Sequence, residues 1–130
     1  MKVYDTPEIA PPFSNYSHAA EAGGDQRWLH ISGQVGVTSN GELLEGFKAQ
    51  AAQAWRNIEA VLDSAGMSLE DIVKVTMLLT RRSDLAASRT IRDAALRGGR
   101  PASTLFVVAG LADERWLIEI EAVAAASSER

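Results

Sequence analysis

Apolar and polar residues alternate along residues 28–37, placing Leu29, Ile31, Val35 and Val37 on one side of an extended segment. Asn40-Gly41 then marks a tight turn, because both residues accept positive φ at little cost. From Phe47 the period lengthens. Phe47, Ala51, Ala54, Trp55, Ile58, Val61, Leu62 and Ala65 recur three and four apart, with Lys48, Arg56, Glu59 and Asp63 on the other side. This predicts an amphipathic helix of about five turns, closed by Gly66 at the C′ position.

A β-branched run over residues 72–80 reads as a strand with Val73, Val75, Met77 and Leu79 on one face. Ser83 or Asp84 is positioned to cap a second helix through Leu85, Ser88, Ile91 and Ala95, which Gly98-Gly99 ends. Strands are expected over residues 103–109 and 116–124, joined by a loop over 110–115 and followed by a polar tail over 127–130. Residues 5–12, with three of the four prolines, read as an irregular arm.

Each strand–helix–strand unit should cross over right-handed, placing both helices on one face of the sheet. The strand from Thr104 to Ala109 is apolar on both sides, yet only one side can meet those helices. A monomer would leave the other side as a wet apolar patch. A homo-oligomer is expected on this ground alone.

The 130 residues suit one domain, residues 1–130. There is no cysteine, and the two histidines, His18 and His30, are far apart, so no metal site is expected. A net charge of −4 without a basic stripe speaks against a nucleic-acid partner. The first residues lack the apolar run of a signal peptide, and no stretch is long enough to span a bilayer. The reading is a cytoplasmic protein without membrane association.

Three segments can carry chemistry. Glu119 and Glu121 share one face of the last strand, roughly 7 Å apart at about 3.3 Å rise per residue. If a neighbour covers that face they must be paired or partly protonated; solvated edge charges, or pairing with arginines of a neighbouring subunit, are the plainer alternative. Arg100-Pro101-Ala102-Ser103-Thr104 bends into a strand with N–H groups and two hydroxyls at its entry, which suits an anion as well as a simple connector. In Ile31-Ser32-Gly33-Gln34-Val35-Gly36 the glycines allow close backbone approach, and a bulge explains them equally. Tyr16 lies in a polar segment where packing and a site role are both open, and His30 reads as a sheet-surface residue.

Taken in order, Ile31 to Val35, the helix ending Asp63-Ser64-Ala65-Gly66, Asp71 to Thr76, Arg100-Pro101-Ala102 and Ile118 to Ala122 resemble the RidA (YjgF) family over almost the whole chain. The resemblance implies a chorismate-mutase-like α+β fold, a single mixed sheet with two helices on one face. It implies a homotrimer with clefts between subunits, in which enamines and imines are hydrolysed without metal or organic cofactor. By position, Tyr16, Ser32, Gly33 and Glu119 correspond to cleft residues, Glu119 to the glutamate that directs water.

Ser103 departs from the pattern. The family's deaminases place there an arginine that grips the substrate carboxylate bidentately. Replacing a charge-assisted pair by a neutral hydroxyl costs roughly 1.5–3 kcal/mol, or one to two decades of carboxylate affinity. Arg89 and Arg100 are the candidate substitutes, with Ser103 and Thr104 as neutral ligand contacts. The leading expectation is hydrolytic deamination, or a related hydrolysis, of a small molecule other than a simple 2-imino acid. A non-catalytic metabolite-binding trimer is the rival, and ribonuclease activity, attached to some relatives, is least supported by the acidic charge.

Overall fold

The computed structural model describes residues 1–129; Arg130, the end of the expected polar tail, lies outside them. Two short strands, β1 (Lys2–Tyr4) and β2 (Ala19–Glu21), pair antiparallel as a separate ribbon. The body comprises β3 (Gln26–Gln34), α1 (Phe47–Ser64), β4 (Ile72–Leu79), α2 (Leu85–Leu96), β5 (Ala102–Val107) and β6 (Ile118–Ser127). In the four-stranded sheet the order is β3-β6-β4-β5. Its β4–β5 pair is parallel and both pairs involving β6 are antiparallel, so the sheet is mixed.

The helix α1 buries Phe47, Ala51, Ala54, Trp55, Ile58 and Leu62, the stripe its spacing predicts. They pack with Ile31, Val75, Met77, Leu79, Ile118 and Ile120 of the sheet in one core. Each fully buried aliphatic side chain there contributes about 1.5–3 kcal/mol of transfer free energy. Gly66, at φ +69°, ends α1. Its N–H donates to the Asp63 carbonyl and that of Met67 to the Leu62 carbonyl, a Schellman closure.

The second helix starts differently from expectation. Asp84 precedes α2 but makes no side-chain cap bond; its carboxylate instead accepts from Arg81 Nε at 2.8 Å. A 3₁₀ turn over Arg82–Asp84 leads into the helix. The strand β3 also stops short of Val37, because its pairing with β6 slips at a bulge between Ile31 and Gln34. Beyond that bulge, Asn57 Nδ2 donates to the carbonyls of Val35 and Val37, each at 3.0 Å. The last strand runs Ile118–Ser127 rather than 116–124, because its Ala124-Ala125-Ala126 run offers no polar contrast to read.

Cross-strand pairing fixes which residues share a face. Lys74, Thr76, Leu78, Thr104, Phe106, Glu119 and Glu121 lie on the side away from the buried core residues. Trp28 and His30 join them on β3. On this open face Trp28 is 52% and Phe106 51% exposed. Among the described residues no helix is long and apolar enough to cross a membrane.

Candidate functional site

Two groups of predicted residues come together, at two places. The first is at the β3 bulge. Ser32 is exposed there, and Gly33 lies directly under the half-buried Glu119 side chain. A Cβ at Gly33 would overlap the Glu119 carboxylate and come within 2.8 Å of its Cγ. The glycine thus admits the carboxylate flat against the strand, on the open face of the sheet. On the same face, Lys74 Nζ donates to Thr104 Oγ1 at 2.6 Å, and partial burial lowers its amine below the usual value.

The second place is a cleft of about 350 Å³ between the N-terminal arm, α2 and β5. Tyr16, Arg89, Ser103 and Thr104 line it, together with Phe13, Ser14, Leu85, Arg92 and Leu105. Ser103 pairs with Val75 and so points to the helix side of the sheet, opposite to Glu119. Tyr16 is turned into the arm, its hydroxyl oxygen accepting from the Phe13 N–H at 3.2 Å.

Two arginines of α2 face this cleft. Arg92 is only 3% exposed; it donates to Ser14 Oγ at 2.8 Å and pairs with Asp93 at 2.9 Å. Arg89 is half-buried, and its side chain has no hydrogen bond or ion pair among the described residues. Arg92 is not among the residues that the sequence singles out. Leu85, Arg89 and Arg92 stand at helical i, i+4 and i+7 spacing, and that spacing is the one signal pointing from Arg89 to it.

Arg100 is committed elsewhere. Its guanidinium donates to Asp5 Oδ2 at 2.7 Å and to the Tyr16 carbonyl at 2.9 Å. Ser17 Oγ donates back to the Arg100 carbonyl at 2.7 Å. Further out, His18 Nδ1 accepts from the Thr6 N–H at 3.0 Å while Nε2 lies 2.8 Å from the Ala10 carbonyl. The neutral Nε2–H tautomer satisfies both contacts. Arg100 therefore fastens the arm that carries Phe13 and Tyr16, and supplies no free cation to the cleft.

A model of the Endoribonuclease L-PSP family matches residues 7–126. The chain is 37% identical over 127 residues to a RutC family protein of Pyrococcus horikoshii, covering 95% of this chain and 98% of that one. It is 34% identical over 125 residues to the 2-iminobutanoate/2-iminopropanoate deaminase of Mus musculus, covering 95% and 90%. Among solved structures, a Rid-family protein of Yersinia pestis matches with a TM-score of 0.85 at 35% identity, over 96% of this chain and 98% of that one. RidA from the Antarctic bacterium Psychrobacter sp. PAMC 21119 matches with a TM-score of 0.72 at 36% identity, over 95% and 98%.

Proposed function

The chain belongs to the Endoribonuclease L-PSP family, the RidA/YjgF group, and from that premise we propose that it is a cytosolic homotrimer hydrolysing reactive imines or enamines in clefts between subunits. The observation that carries this reading is the Glu119 carboxylate, laid against Gly33 in a space that a larger residue there would take from it. A carboxylate so held can take a proton from water as the water oxygen bonds to an imine carbon. The proton passes to the imine nitrogen, giving a carbinolamine. Loss of the hydroxyl proton then closes the C=O bond as the C–N bond breaks, and ammonia leaves with both protons of the water. No further reactant is consumed.

Ser103 and Glu119 occupy opposite faces of one sheet, so a site that uses both draws them from different subunits. That division supports the intersubunit cleft. The murine relative is named for deaminating 2-iminobutanoate and 2-iminopropanoate, and its chemistry is the pattern for this proposal. Ser103 shifts the substrate away from those simple acids, and also favours the second reading, a trimer that binds a metabolite without turning it over. A nuclease role has less support, since the chain carries a net charge of −4.

The test is ammonia release from freshly generated imines and enamines, for the wild type, Glu119→Gln and Ser103→Arg. We expect at least a hundredfold loss in Glu119→Gln, and activity on 2-iminopropanoate raised tenfold or more in Ser103→Arg. Wild-type activity indistinguishable from the uncatalysed rate, with ligand-dependent thermal stabilisation, would establish the binding reading instead.

A further inference from the structure

We infer that Arg89 holds a ligand carboxylate in the cleft beside Ser103, and that this ligand is a monocarboxylate with a branched or aromatic tail. The inference rests on the reading that the cleft binds a small molecule, and it names the class. The neighbouring guanidiniums differ in what they have left to give. That of Arg92 is buried and spends its donors on Asp93 and Ser14; that of Arg100 is held by Asp5. Arg89 alone among these three has no partner among the described residues, yet it is half-buried and lines the cleft. A guanidinium that lines a cleft without an anion is suited to bind one.

The charge count sets the ligand's charge. Asp93 balances Arg92, which leaves one positive group and suits one carboxylate rather than two. The remaining wall is apolar: Phe13, Leu85 and Leu105 face the same space, and Phe13 is 79% exposed, with apolar area still to cover. A volume of about 350 Å³ lies within the range of sites for small organic ligands and exceeds what a two- or three-carbon acid would fill. The cation comes from α2 rather than from the start of β5, so the acid head and the apolar tail both lie on the helix side of the sheet.

Binding is measured by calorimetry with three probes: 4-methyl-2-oxopentanoate, pyruvate, and the uncharged ketone 4-methyl-2-pentanone. The branched oxo acid should bind at least tenfold more tightly than either of the others. Arg89→Ala should weaken it tenfold or more, and Arg89→Lys should recover part of the loss. Equal binding of the acid and the ketone overturns the inference, as does wild-type affinity in Arg89→Ala. Carboxylate binding that depends on Arg89 without ammonia release from any imine sinks the hydrolase proposal and leaves this one standing. Ammonia release unaffected by Arg89→Ala does the reverse.

Discussion

Gly33 and Gly36 sit three residues apart, and each lacks a side chain for its own reason. A methyl at Gly33 meets the far end of Glu119, a side chain able to swing aside. A methyl at Gly36 comes within 2.7 Å of Gln50 Cγ and equally close to the α1 backbone, which cannot move without shifting the helix. Gly33→Ala should therefore abolish most turnover with little change in unfolding free energy. Gly36→Ala should lower stability by about 1–3 kcal/mol in urea titrations. Equal stability loss in both would mean that Glu119 is held as rigidly as the helix. The glycines, Glu119 and Ser103 are legible in the sequence because each residue type carries a narrow set of uses. Gln50 is not: it is buried on the apolar stripe of α1, accepting from the Leu117 N–H at 2.8 Å and donating to the Leu44 and Arg115 carbonyls. A polar residue that satisfies loop backbone looks, in one dimension, like any solvated position.

At the scale of elements, hydrophobic period locates both helices and the four sheet strands, because each buries one face against the common core. The ribbon of β1 and β2 escapes such a reading, since three residues per strand contain too little alternation. What fixes the segment between them is a set of polar contacts around Asp5. Its carboxyl is held below the ordinary 3.8, first by the bond from the His18 N–H and then by Arg100. A carboxyl with a depressed folded-state value stabilises the arm fully above 3.8 and loses that effect as pH falls through the lowered value. The His18 amide resonance should therefore titrate with a midpoint below 3.8, and Asp5→Asn should remove the transition. A midpoint at or above the ordinary value would show that the carboxyl is not bonded as described.

For the whole molecule, the open sheet face makes the largest demand for a partner. Trp28 and Phe106, each more than half exposed, stand on it beside Glu119 and Lys74. Such a face suits burial against further copies of the chain, and for the homotrimer proposed above light scattering should report three times the 14.0 kDa chain mass. Phe106→Lys should shift the species to monomer, and a wild-type protein that runs as monomer at micromolar concentration would refute the assembly. The two-sided apolar character of β5 is legible in the run Leu105-Phe106-Val107. Which charged groups share its outer side is not, because that follows from cross-strand register.

The strand order also governs how the chain can be made. β3 and β4 are both in place early in synthesis, yet they are not neighbours: β6 lies between them and pairs with both. Until Ile118 and the residues after it have left the ribosome, the two earlier strands have no backbone partner on that side. Their apolar faces must wait, exposed or loosely covered by α1, for the last segment to arrive. Closure of the sheet thus waits for β6, and a chain that stops in the 110–115 loop has both long helices but only one of the sheet's three strand pairings, β4 with β5.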